Sequence, residues 1–129
     1  MIGYVTLGTN DLGRSAAFYD AVLAEIGAGR WKETQRSVVW RAVPGHPSLC
    51  LIQPYDGAAA SVGNGVMVAL YAGTPEKVRA LHARALAMGG KNEGDAGPRD
   101  SSPGFYAAYF RDLDGNKLNV FCVDMSSTS

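Results

Sequence analysis

Residues that hold metals or carry electrons are scarce in this chain, which has two histidines and two cysteines in 129 positions. Cys50 and Cys122 lie in separate strand-like stretches without Cys-x-x-Cys spacing. They could pair only if the fold juxtaposed them, so a reduced cytosolic protein is the default expectation. His46 falls in a Pro-Gly-His-Pro turn and His82 in a helical stretch, and nothing suggests that they converge. Excess charge is lacking too: twelve Lys and Arg balance twelve Asp and Glu. That balance removes the field that would draw the protein to nucleic acid or an anionic membrane. No apolar run approaches the roughly 18 residues a membrane helix needs. The start lacks a basic segment followed by an apolar core of about 7–15 residues, so no secretory signal is visible and a cytoplasmic location is expected. Nucleophile elbows, phosphate loops and paired-histidine motifs are missing as well.

What is present is a globular composition, 47% hydrophobic and 19% charged, sized for one domain over 1–129 that buries about two-thirds of its unfolded surface. The chain also repeats. Shifted by 63 positions, segment 3–27 lies over 66–90 without a gap: Val5 meets Val68, Leu7 meets Leu70, Leu23 meets Leu86 and Gly27 meets Gly90. Each copy reads as strand, turn, amphipathic helix and glycine stop. In the first, Tyr4–Leu7 alternates, Asn10 or Asp11 can cap, and Ser15–Ile26 has helical spacing. In the second, Val66–Tyr71 is the strand, Thr74 an N-cap, Pro75 a tolerated first helical residue, and Gly89-Gly90 the stop.

Strand pairs follow each helix. Ser37–Ala42 and Ser48–Gln53 flank the turn Pro44-Gly45-His46-Pro47. Phe105–Arg111 and Lys117–Val123 flank Asp112-Leu113-Asp114-Gly115-Asn116, which reads as a hairpin. The second pair follows the first at an offset of 69, placing Leu49 over Leu118 and Cys50 over Asn119. Residues 55–64 read as a linker, and Lys91–Gly104 as a long polar loop of the kind that often binds ligands.

Strand parity sorts the side chains into two faces. Val5, Leu7, Leu49, Leu51, Val68, Leu70, Leu118 and Val120 form an aliphatic face suited to packing against the helices. Tyr4, Thr6, Cys50, Met67, Ala69, Tyr71, Asn119 and Phe121 form the other, where polar tips, small residues and aromatics mix as a ligand cavity requires. A second core or a dimer seam is the alternative for that face. Trp40, Tyr55, Tyr71, Phe105 and Tyr106 supply aromatic surface that could wall a flat ligand. Arg99 could meet an anion, whereas Ser101 and Ser102 beside Asp100 lack a base and read as ordinary loop chemistry.

The opening Asp11-Leu12-Gly13-Arg14-Ser15-Ala16-Ala17-Phe18-Tyr19, the Gly63-Asn64-Gly65 before the fifth strand and the closing Phe110-Arg111-Asp112-Leu113-Asp114-Gly115-Asn116 resemble the vicinal-oxygen-chelate superfamily, which includes glyoxalases, bleomycin-resistance proteins and dioxygenases. The resemblance covers essentially the whole chain. It implies an α+β fold of two βαβββ modules, about 1–56 and 65–125, forming a curved mixed sheet with a concave cleft and helices on the convex side. It also implies a homodimer.

Enzymes of this superfamily hold a divalent metal in that cleft. Position by position, their ligands fall on Tyr4, Met67, Asn119 and either Cys50 or Leu51. None of these is an imidazole or a carboxylate, so the expectation is no metal and no cofactor. Three functions remain open: a metal-independent binder of a small organic molecule; a lactoylglutathione-lyase-like or dioxygenase-like enzyme with an unorthodox or absent metal site; and a scaffold acting through protein contacts. The expected ligand-binding residues are Tyr4, Thr6, Trp40, Cys50, Met67, Tyr71, Tyr106, Asn119 and Phe121. Tyr4 is the candidate for a catalytic acid or base, a role that would need its pKa lowered.

Overall fold

The computed structural model describes residues 1–99 and 103–123. Two modules follow one another: β1 (Tyr4–Gly8), α1 (Leu12–Ala24), β2 (Gly29–Glu33), β3 (Ser37–Arg41) and β4 (Ser48–Ile52); then β5 (Val68–Tyr71), α2 (Pro75–Ala87), β6 (Lys91–Pro98), β7 (Phe105–Arg111) and β8 (Lys117–Val123). Each module is a four-stranded mixed sheet, ordered β1-β4-β3-β2 and β5-β8-β7-β6. The architecture is the expected α+β pair of βαβββ units, with two sheets in place of one continuous curved sheet.

Pairing registers reproduce the sequence repeat. Val5 faces Leu49 and Leu7 faces Leu51 across the parallel β1–β4 pair; Val68 faces Leu118 and Leu70 faces Val120 across β5–β8. Both hairpins form where turn chemistry places them, with Gly45 at φ +84° and Gly115 at φ +91°. Such angles suit glycine because it has no Cβ to clash.

Two strands were not read from the sequence. Gly29–Glu33 is exposed throughout and carries no apolar alternation. Lys91–Pro98, expected as part of a long loop, is instead an edge strand bulged at Gly94. Its pairing comes from β7 rather than from its own side chains, which is why period-2 reasoning passed over it. Ser101, Ser102 and Asp100 lie outside the described residues.

Helix α1 begins three residues before the expected Ser15, capped by the Asp11 carboxylate, which accepts from the Arg14 N–H. Helix α2 is capped by Thr74 with Pro75 in its first turn, as its sequence predicts. Both helices cover the aliphatic faces. Phe18, Val22, Leu81, Val78, Phe110, Leu118 and Val120 are fully buried there, each apolar side chain contributing roughly 1.5–3 kcal/mol by leaving water.

The Asp112–Asn116 turn joins the modules. The Asp112 carboxylate accepts from the Tyr19 hydroxyl on α1 at 2.5 Å and from the backbone N–H groups of Asp114 and Asn116. Asp114 accepts from the Ser15 hydroxyl at 2.6 Å and the Asn10 N–H at 2.9 Å, while the Asn116 amide donates to the Gly8 carbonyl. Burial raises the Tyr19 pKa well above its ordinary value, and the neighbouring Asp112 carboxylate raises it further. Tyr19 therefore stays a proton donor, the role this contact needs. Two of the segments that carry the family resemblance thus meet as a buried polar clamp.

Candidate functional site

Alternation that buries Leu7, Leu51, Leu118 and Val120 turns Thr6, Cys50, Asn119 and Phe121 to the face away from the helices. Tyr4 stands on this open face opposite Ser48, with 67% of its surface exposed and its hydroxyl without a hydrogen-bond partner among the described residues. Thr6 lies opposite Cys50, which in turn lies opposite Val39. Burial pushes the Cys50 thiol upward in pKa, opposed by a hydrogen bond with Thr6, so the sulfur remains a neutral thiol and a poor nucleophile at neutral pH. Leu51 belongs to the core, which leaves Cys50 as the residue of this pair on the open face.

In the second module Asn119 lies opposite Ala69 on one side and Tyr109 on the other. It is 2% exposed, and its carbonyl oxygen has no hydrogen-bond partner among the described residues. A buried, unsatisfied acceptor costs about 1–3 kcal/mol, so it marks a place where a donor is wanted. Phe121, two residues along, makes an aromatic wall with Phe105 and Tyr71, at ring separations of 5.4 and 5.6 Å. Met67 precedes β5 rather than lying within it. It lines a cavity of about 520 Å³ with Val62, Gly63, Val66, Arg111 and Lys117.

Two expected site residues lie elsewhere. Trp40 is 1% exposed on the helix side, against the Tyr19 ring, and its indole N–H donates to Asp20 at 2.9 Å. Tyr106 also faces the helices, where its hydroxyl accepts from Arg79 of α2. Both positions follow from strand parity: Trp40 shares its side with Val38, and Tyr106 shares its side with Ala108 and Phe110. His82 is a buried packing residue, its Nε2 lying 3.1 Å from Asn92 Oδ1 and 3.2 Å from the Tyr109 carbonyl.

Parity brings further residues to the open face. Tyr109 and Arg111 on β7 and Lys117 on β8 join Asn119 and Phe121 on the open face. Arg99 and Lys117 both approach the Tyr109 ring, at 5.1 and 5.7 Å. Glu93 pairs with Arg111 at 2.9 Å, and that guanidinium holds its carboxyl below the usual range against the opposing effect of burial. Applying i, i+2 alternation to β7 and β8 would have found all three.

A metal does not suit this donor set. The ligand positions implied by the resemblance carry a phenol, a thioether, a neutral amide and a protonated thiol. No group of three or more His, Cys, Asp or Glu that could hold a metal occurs among the described residues. Hard and borderline divalent cations favour carboxylates and imidazoles.

Comparisons with known proteins place this geometry. The sequence model of the glyoxalase/bleomycin resistance protein/dioxygenase superfamily matches residues 1–120. A glyoxalase/bleomycin resistance protein from Albidiferax ferrireducens T118 is 35% identical, with a TM-score of 0.87 over 96% of this chain and 99% of that one. A lactoylglutathione lyase from Agrobacterium tumefaciens, 23% identical, has the same fold at a TM-score of 0.66, over 94% of this chain and 92% of that one. So does a mutant fosfomycin resistance protein from Listeria monocytogenes complexed with Mn(II) and a dihydroxypropylphosphonic acid, at 16% identity and TM-score 0.68, over 99% and 95% of the two chains. Comparison with curated proteins finds no match. With its paired modules, their shared register and a family match over nearly its whole length, the chain belongs to the glyoxalase/bleomycin resistance protein/dioxygenase superfamily.

Proposed function

We propose that this protein is a metal-independent binder of a small organic molecule, held on the open face of its sheets within a homodimer. The observation that carries the reading is the donor set at the family's metal positions: Tyr4, Cys50, Met67 and Asn119 bring no imidazole and no carboxylate. The orphaned Asn119 carbonyl and the exposed Tyr4 and Tyr71 rings support it, since a ligand would satisfy the first and cover the others.

Two measurements test this. Protein purified without chelator should carry no stoichiometric metal, and nickel, zinc, manganese and iron(II) should leave its melting temperature unchanged. About one divalent ion per chain, or stabilisation by several degrees, would move the protein to the metal-enzyme reading. Tyr4→Ala should weaken ligand binding while leaving a folded dimer, and unchanged affinity would remove Tyr4 from the site.

A further inference from the structure

The open face of module two changes character along its length. Lys117, Asn119 and Phe121 lie in line on β8, about 13 Å from end to end at ~3.3 Å per residue. At one end Phe121 meets Phe105 and Tyr71 in an aromatic wall. In the middle the Asn119 carbonyl lacks a donor. At the other end Lys117 and Arg111 border the cavity formed with Val62, Gly63, Val66 and Met67.

The charges at that end do not cancel. Glu93 is shared between Arg111 and Lys91, at 2.9 and 3.9 Å, and also feels the more distant charge of Lys117. Asp95 accepts from the Asn92 amide. Lys117 and Arg99 have no carboxylate within 4.0 Å among the described residues, and Arg99 donates to the Asp95 backbone carbonyl. Both cations lie against Tyr109, and Gly94 leaves room for that ring: a Cβ there would come within 3.1 Å of Tyr109 Cδ2 and 3.5 Å of the Arg99 guanidinium.

We infer that this face takes an amphiphilic organic anion: an apolar, preferably aromatic body on Phe121, Phe105 and Tyr71, a hydroxyl or N–H donating to Asn119, and a carboxylate, sulfonate or phosphonate group at Lys117, with Arg99 adding positive charge from the β6 side of Tyr109. The inference rests on the ligand-binding reading above and specifies its chemistry. The Asn119 carbonyl would gain its missing donor, and Lys117 a carboxylate-like partner that the described residues do not supply. Charge-assisted contacts are about twice as strong as neutral ones, so the cationic end would contribute most to selectivity.

The test uses two fluorescent probes with the same body. 8-Anilinonaphthalene-1-sulfonate carries the anion; N-phenyl-1-naphthylamine lacks it; both have an N–H. Lys117→Met should weaken the sulfonate about tenfold, equivalent to about 1.4 kcal/mol, and change the neutral probe less than about twofold. Arg99→Gln should act in the same direction. Tyr71→Ala, on an exposed ring, should weaken both probes alike, with thermal melts verifying that each variant folds. If both probes bind and neither cation variant separates them, the anion inference falls while the binding face stands. If neither probe binds, the ligand face is overturned. A dimer that Tyr71→Ala dissociates would then assign it to a second copy of the chain.

Discussion

The two modules share a plan down to the residue, yet they present different open faces. At matched positions of the parallel pairs, Val5–Leu49 corresponds to Val68–Leu118 and Leu7–Leu51 to Leu70–Val120. Both sets are aliphatic because both must pack against a helix. Between them, Thr6–Cys50 corresponds to Ala69–Asn119. In the first module the Thr6 hydroxyl acts on the Cys50 thiol and opposes the rise in its pKa; in the second the amide oxygen has no partner among the described residues. The helices diverge at one matched position as well. Tyr19 reaches across to Asp112 of the other module, whereas His82 bonds to Asn92 and Tyr109 of its own. Duplication thus preserves what the core requires and leaves the other positions free to acquire a joint or a binding surface.

Breaking the shared part should have the largest effect. Phe110→Ala, which removes a fully buried ring packed on Phe18 and His82, should cost about 3–5 kcal/mol in a chemical denaturation curve. Breaking the joint between modules comes next. Tyr19→Phe takes the donor from Asp112 and should cost about 1–3 kcal/mol.

That variant also has a pH signature. Because the folded Tyr19 pKa is raised above 10.0, its contribution is complete below pH 10. It declines as pH rises, since the unfolded chain releases the proton first. Tyr19→Phe should flatten this part of the alkaline stability profile, and an unchanged slope would mean that another group controls it.

The open face should respond in the opposite sense. Asn119→Leu replaces an unsatisfied buried amide with an apolar group of similar size, so stability should stay within about 1 kcal/mol or rise. Affinity for the sulfonate probe should fall in the same variant. A large loss of stability would make Asn119 a structural residue. The smallest effect belongs to the inter-helix pair Arg84–Glu25, 3.2 Å apart at the surface. Arg84→Ala should cost less than about 1 kcal/mol and vanish into the noise at high salt.

Much of this was legible beforehand. The 63-residue offset, Thr74-Pro75 and the two hairpin turns lead directly to helices, strands and pairing partners, because each rests on local chemistry or on periodicity. The β6 strand was illegible for the converse reason: Lys91–Pro98 has two glycines, a proline and three charges, and becomes a strand because β7 offers it hydrogen bonds. Residue type groups Trp40 and Tyr106 with a ligand, whereas their strand parity points to the helices.

The sequence by itself determined the duplicated α+β plan and the aliphatic faces, since composition and spacing are properties of the chain. Only the tertiary structure decided which polar groups find partners. It joined Tyr19 to Asp112 across 93 positions, placed Arg99 and Lys117 on Tyr109 and left the Asn119 oxygen alone. Hydrogen bonds and charge pairs act over a few ångströms, and which residues come that close is settled when the strands and helices pack.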